Sequence, residues 1–331
     1  MRILVTGGAG FIGCNLVRHI LRARPQTRVR VLDKLTYAGS RENLADVAGD
    51  PRLEFVEGDV CDEGVVRGAL EDVQAVMHLA AESHVDRSII SARAAVQTNF
   101  VGTFVMLEAA REAGVERFLQ MSTDEVYGSS VQERFTEEHT LNPRNPYSAT
   151  KAGADRLAYS YWVTHGLPVV IARPANNYGP WQYPEKLIPF FVYRALRNEH
   201  LPVYGDGRQV RDWLHVEDDC RALLLLLERG EPGAAYNIEA GNERENLETI
   251  RLILDELGKP DSLICHVEDR PGHDVRYPMD GSKLRALGWA PQVPWEEGVR
   301  ATVRWFAEHQ DWMERAVARG REYFEKWYAG R

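Results

Sequence analysis

The chain has 331 residues, of which 44% are hydrophobic and 27% charged. These are globular proportions, with length enough for two domains or one large body carrying an appendage. Its densest aliphatic run is Leu223 to Leu227, far short of the roughly 20 apolar residues that a membrane span needs. The formal net charge of −9, from 40 Lys and Arg against 49 Asp and Glu, argues against a nucleic-acid coat and leaves room only for a local basic pocket.

The first half alternates short apolar runs with longer helical patterns. Strands are expected at Ile3 to Val5, Arg28 to Leu32, Leu53 to Glu57, Gln74 to Leu79, Arg117 to Ser122 and Val169 to Ala172. Helices are expected between most of them, notably Phe11 to Arg24, Ala92 to Ala113 and Tyr147 to His165. Such alternation predicts an α/β fold with a parallel sheet covered on both faces and a ligand beyond the carboxyl ends of its strands. After Pro174 the pattern breaks into proline, glycine and aromatic residues. A smaller substrate domain is expected there, interleaved with the first: residues 1–175 with 213–240 and 286–300 against 176–212 with 241–331. Leu214 to Glu228 and Trp295 to Trp327 read as helical. Cys14, Cys61, Cys220 and Cys265 form no CxxC pair, which speaks against a zinc site, and the short apolar start is no signal peptide. A cytoplasmic protein without a metal is expected, with neither nucleic acid nor membrane as partner.

Gly7, Gly10 and Gly13 make a GxxGxxG turn between the first strand and the first helix, with Phe11 and Ile12 inside it. Glycines there let the backbone approach a pyrophosphate, which rests on the helix N-terminus. Asp33 lies twenty residues beyond Gly13 at the end of the second strand, placed to take ribose hydroxyls and to repel a 2′-phosphate. NAD is therefore expected rather than NADP, with Lys34 next door working the other way. Asp59 and Val60, after the third strand, are placed for the adenine.

Tyr147 and Lys151 stand at i and i+4 and share one helix face. A nearby ammonium favours the phenolate, so the pair predicts a tyrosine base of lowered pKa. Thr123, at the end of the fifth strand, completes a Thr–Tyr–Lys set.

The glycine signature, the YxxxK pair and the length resemble the extended short-chain dehydrogenases that act on nucleotide sugars. Longer motifs narrow this. Ser122-Thr123-Asp124-Glu125-Val126-Tyr127-Gly128, Asp33 to Gly39, Leu79 to Ser88, Asn176 to Pro180, Pro184 to Pro189, Arg211-Asp212-Trp213 and Asp269 to Asp274 resemble the dTDP-glucose 4,6-dehydratases over roughly residues 1 to 300. Departures are mild: Ala175 where a serine is expected, and Gly153-Ala154 where a serine pair is common. The resemblance implies a Rossmann-type doubly wound sheet, NAD as cofactor, a dTDP-glucose substrate and a homodimer formed through a four-helix bundle of 92–113 and 147–165.

It also implies roles. Tyr147 takes the O4 proton as C4 is oxidised; Glu125 then removes the C5 proton, now α to a ketone, while a protonated Asp124 gives its proton to the departing C6 hydroxyl. C6 is finally reduced, and the product is a 4-keto-6-deoxy sugar. Two acids with opposed roles need pKa values pushed apart. Neighbours in a strand point to opposite faces, so Asp124 and Glu125 are expected in a turn just past the strand end. Leu35, Thr36, Leu79, Ala80, Ala81, Thr98 and Asn177 are implied at the cofactor. Ser83, Asn176 and Leu187 are implied at the sugar nucleotide, with Pro202, Tyr204 and Asn246 around its base. Lys186, Arg211, Arg270 and His273 are the cations chosen for its diphosphate. A nucleotide-sugar 4-epimerase shares the cofactor site and tyrosine but has no use for the acid pair, since no water leaves. A UDP-glucose 4,6-dehydratase differs in the base by one methyl group.

Overall fold

The computed structural model describes residues 1–269 and 273–320. Its main sheet holds seven strands: β1 (Arg2–Thr6), β2 (Arg28–Asp33), β3 (Leu53–Glu57), β4 (Ala75–His78), β5 (Arg117–Met121), β6 (Val169–Pro174) and, much later, β10 (Ala235–Ile238). Their order is β10-β6-β5-β4-β1-β2-β3, and every pairing is parallel. The α/β doubly wound sheet read from the sequence is therefore present. Strand order reverses between β1 and β4, which opens a crevice at their carboxyl ends.

Neighbouring residues in these strands feed two cores. Ile3 and Val5 face α1 (Phe11–Ala23) and α8 (Val216–Arg229), while Leu4 faces the side of α2 (Glu63–Ala69), α5 (Thr103–Ala113) and α6 (Pro146–His165). Between them lie α3 (Val85–Ile90) and the short α4 (Arg93–Ala95). The helix expected over 92–113 is not continuous, because residues Val96–Gly102 form a π-helical stretch. That widened stretch brings Thr98 to the crevice and lets Asn99 donate to the Glu82 carbonyl and to Thr150.

The remaining elements form a third core over the strand ends. A three-stranded sheet, β11 (Glu243–Glu245), β9 (Val210–His215) and β7 (Asn176–Tyr178), lies beside a pair made of β12 (Ile264–Val267) and β8 (Leu201–Tyr204). Packed with them are α7 (Leu187–Leu196), α9 (Asn246–Glu256), α11 (Trp295–Glu308) and α12 (Gln310–Arg319); α10 (Ser282–Ala286) packs on β10. Two helix expectations are corrected. Leu214 and His215 belong to β9, where they pair with Asn177 and Tyr178, so α8 begins at Val216. The segment from Trp295 breaks at His309, and the end expected at Trp327 lies outside the described residues. Among the described residues no helix is long and apolar enough to cross a membrane.

Candidate active site

The crevice at the strand reversal is a cavity of about 420 Å³. At one end α1 points its N-terminus into it. Gly10 caps that helix with no side-chain hydrogen bond, and its first turn carries no acidic residue. The N–H groups of that turn are open to an anion, and the macrodipole favours one. The turn demands glycine: Gly7 has φ +69°, and a Cβ on Gly13 would lie 2.1 Å from the Gly7 oxygen. Thr6 ties the two central strands together. Its Oγ1 accepts from the N–H groups of Leu79 and Ala80 and bonds His78 Nδ1 at 2.7 Å.

Asp33 is buried at the crevice rim. Its oxygens accept from the Ala9 and Leu35 N–H groups at 2.9 and 2.8 Å, which leaves each oxygen a free lone pair for a hydroxyl donor. Lys34 pairs with Asp59 at 2.6 Å. Gly7, Gly10, Phe11, Ile12, Gly13, Asp33, Lys34, Thr36, Asp59, Val60, Leu79, Ala80, Ala81, Thr98, Tyr147, Lys151 and Asn177 all line the cavity. Leu35 does not. It takes φ +56°, and its backbone N–H holds Asp33.

At the other end sits the acid pair. Thr123 ends the extended segment after β5, and Asp124 and Glu125 begin a 3₁₀ turn, as the face argument requires. Asp124 is only 2% exposed. Its Oδ1 accepts from Thr123 at 3.1 Å and Oδ2 has no partner among the described residues. Burial first, then the charge of Glu125, pushes its carboxyl well above the usual range. Glu125 is half-buried and accepts from Asn145 Nδ2 at 3.1 Å.

Tyr147 and Lys151 come from the first turns of α6. Asn145 caps that helix in a reciprocal pair with Ser148, and Pro146 takes its first position. Lys151 donates to the Met121 carbonyl at 2.5 Å, and burial lowers its pKa to about 8. Here the sequence expectation is corrected. Burial and then the negative charge of Glu125 raise the Tyr147 phenol, with Thr123 pulling it back; Lys151 spends a hydrogen bond on β5 instead.

A second cavity of about 190 Å³ adjoins the first, and Glu125, Asn176, Glu185 and Lys186 line both. Leu187, Pro202, Tyr204, Arg211, Asn246 and His273 line it too, whereas Ser83 and Thr123 line the first cavity only. Arg211 is buried yet donates only to the carbonyls of Val210, Asp274 and Val275, 4.6 Å over the Tyr277 ring. Among the described residues no carboxylate pairs with it, so its charge remains for an anion. Lys186 donates to the Ser83 carbonyl at 2.6 Å, and His273 meets Asp269 at 2.6 Å. Arg270 lies outside the described residues.

Residues 4–302 match the family model described as GDP-mannose 4,6 dehydratase. The chain belongs to this 4,6-dehydratase family. Among its relatives, the low-salt glycan biosynthesis protein Agl12 of Haloferax volcanii is 53% identical over 92% of this chain and 98% of its own length. A dTDP-glucose 4,6-dehydratase of an Actinoplanes species is 49% identical over 94% and 99%. The crystal structure of DesIV, the dTDP-glucose 4,6-dehydratase of Streptomyces venezuelae, with NAD bound, superposes with a TM-score of 0.94 at 50% identity, over 96% of this chain and all of that one.

Within this 4,6-dehydratase, the sequence reading left out several lining residues. Glu185 is buried between the cavities and pairs with Arg87 at 2.9 Å; burial raises its carboxyl, against the pull of Arg87. It stands beside Lys186 in a motif already quoted, but nothing local shows its burial. Gln209 and Tyr277 were missed because they reach the cavity from separate segments.

Proposed function

We propose that this chain is an NAD-dependent dTDP-glucose 4,6-dehydratase, a hydro-lyase that converts dTDP-D-glucose to dTDP-4-keto-6-deoxy-D-glucose and water. The observation that carries this reading is Asp124. It is a buried carboxyl held toward its protonated form on the first cavity, beside a half-buried Glu125 that lines both cavities. An acid and a base side by side are what an elimination of water demands.

The uncapped start of α1, the glycine turn and the free lone pairs of Asp33 fit a dinucleotide, as do the buried oxygens of Asn176, Asn177 and Ser122, which have no partner among the described residues. When bound, NAD supplies a reversible two-electron acceptor, so the sugar is oxidised and reduced within one turnover. Gly7, Gly10, Phe11, Ile12 and Gly13 would hold its pyrophosphate, Asp33, Lys34 and Thr36 its ribose, Asp59 and Val60 its adenine. Leu79, Ala80, Ala81, Thr98 and Asn177 wall the remainder.

The protein's own groups handle the protons. Tyr147, as the phenolate, receives the O4 proton, aided by the Thr123 hydroxyl, while Lys151 lines the same cleft. Oxidation at C4 makes the C5 hydrogen acidic. Glu125 takes that proton, while Asp124 donates its own to the C6 oxygen, which leaves as water. Glu125 exchanges its proton with solvent and protonates C5, Tyr147 releases the O4 proton to solvent, and Asp124 is reprotonated from solvent. Arg211, Lys186 and His273 bind the diphosphate, Arg270 with them, and Pro202, Tyr204, Leu187 and Asn246 flank the base. Asn176 and Ser83 orient the sugar.

The dinucleotide unit on this reading is residues 1–175 with 213–240 and 286–300, and the rest forms the sugar-nucleotide unit. The chain works as a homodimer. Phe100, Phe104, Tyr159 and Val163 stand 40%, 44%, 40% and 64% exposed on the π-helical stretch, α5 and the adjoining α6, which is apolar surface that a second copy covers. We place it in the cytoplasm, in keeping with its free cysteines.

Incubation of the purified protein with dTDP-glucose or UDP-glucose, followed by mass spectrometry, tests the reading. Loss of one water from dTDP-glucose with no net build-up of reduced cofactor is expected. An unchanged mass with an epimerised sugar contradicts it.

A further inference from the structure

Behind the cleft wall lies a carboxyl that the reaction above does not use. Asp219 sits in the first turn of α8, fully buried, and neither of its oxygens makes a hydrogen bond of ordinary geometry among the described residues. Its neighbour Asp218 is fully engaged. Asp218 accepts from the Gln292 and Val293 N–H groups at 2.7 and 3.0 Å and pairs with Arg221. Asp219 has none of that support. Burial raises its carboxyl to about 7, the amide of Asn177 favours its charged form, and the charge of Asp218 opposes it. A buried carboxyl so poorly satisfied costs stability, and such a cost is kept where a site needs it.

Asn177 forms the cleft wall above. Its Nδ2 makes a long contact of 3.3 Å to the Ala175 carbonyl, and its Oδ1 is buried with no hydrogen-bond partner among the described residues. Its backbone carbonyl is fixed by Gln182 Nε2 at 2.9 Å, so the backbone is set while the carboxamide is not. The start of α8 also favours a negative charge at Asp219. Among the described residues the titratable groups near it are Asp218 and Cys220 on α8, with Cys14 and Arg22 of α1 and Glu217 of α8 acting on Cys220.

We propose that Asp219 is a positioning residue for the dinucleotide: from behind the wall its carboxylate draws Asn177 Nδ2 inward and leaves Asn177 Oδ1 to accept a hydrogen bond from the bound cofactor. Protonation reverses the arrangement, because a neutral carboxyl donates to Oδ1 and competes with the cofactor for it. This rests on the reading above that Asn177 walls the bound cofactor.

The test measures NAD release from the full-length holoenzyme, and NAD titration of the stripped chain, for the native protein, Asn177→Ala, Asp219→Asn and the double variant. The native protein is expected to hold NAD more tightly as pH rises through about 7, where the carboxyl ionises. Asp219→Asn loses that pH dependence and binds NAD about tenfold more weakly above neutral pH, and the double variant binds no more weakly than Asn177→Ala alone. Its melting temperature stays level or rises, since an unsatisfied buried acid is gone. Asp219→Ser, a smaller replacement, behaves alike and serves if the amide fails to fold. Native retention by Asp219→Asn, with loss in Asn177→Ala, overturns this inference and leaves Asn177 at the cofactor. Native retention in both variants overturns the placement of Asn177 as well. A lower melting temperature, with pH-independent weakening that adds to Asn177→Ala, makes Asp219 merely structural and overturns the proposal.

Discussion

Asn145 Nδ2 donates to Glu125 Oε2 at 3.1 Å, while Asn145 Oδ1 accepts from the Ser148 N–H at 2.9 Å. One side chain therefore starts the helix that carries Tyr147 and Lys151 and also holds the carboxylate assigned to the C5 proton. Tyrosine, lysine and base are fixed relative to one another through a single cap.

Replacing Asn145 by alanine removes both bonds. A lost cap costs about 1 kcal/mol, so a melting temperature a few degrees lower is expected. Turnover should fall further than that loss explains, because Glu125 loses its tether. Rapid kinetics should show reduced cofactor accumulating transiently, as oxidation at C4 outruns proton removal at C5. A variant that melts lower but turns over normally would show that the tether does not matter.

Asp124→Asn keeps the shape and removes the acid. General acid catalysis contributes roughly 10²–10⁴-fold, so turnover should drop on that scale. Melting temperature should change little, since the native carboxyl is already held toward neutrality. C4 oxidation should survive, visible as nicotinamide reduction on adding substrate. Full loss of that signal would place Asp124 at the first step instead.

Arg211→Lys tests the second cavity. The guanidinium is fixed by three carbonyls and by Tyr277, a geometry that lysine does not reproduce. KM for the sugar nucleotide should rise about tenfold or more with NAD retention unchanged. Equal loss of cofactor would mean that the substitution disturbs the fold.

Stability should depend on pH with a sign set by the buried acids. Burial, with the charge of Glu239, raises Asp212 to about 6, and burial raises Asp219 to about 7. A raised carboxyl binds its proton more tightly folded than unfolded. Its contribution is full below the unfolded value of about 4 and shrinks as pH climbs through the folded one. Asp155 runs the other way. Its bonds to Arg173 outweigh burial and hold it low, so its contribution is present above the unfolded value and lost as pH falls. Melting temperature should therefore fall between about pH 5 and pH 7.5, and fall less in Asp219→Asn. An equal fall in both proteins would show that Asp219 does not titrate there.

The central strands were legible because they are short apolar runs buried on both faces, as Ile3-Leu4-Val5 shows by feeding both cores. The glycine turn and the Tyr147–Lys151 pair were legible because local spacing fixes them. The acid pair was legible as a turn because period-two geometry forbids both side chains on one face. What escaped depends on distant segments. Lys151 meets Met121 across thirty residues, and Tyr147 is buried by neighbours that the helix pattern does not reveal. Leu35, which does not line the cleft, takes a positive φ that a leucine rarely takes. The π-helical stretch interrupts a pattern that reads as plain helix.

The central claim is an internal redox elimination run by Tyr147, Glu125 and Asp124. Its most direct test is incubation with dTDP-glucose in heavy water, read by mass spectrometry and proton NMR. The account predicts loss of one water, one deuterium at C5 and none at C6, with no net reduced cofactor. Water lost without deuterium at C5, or deuterium gained at C6, would contradict it.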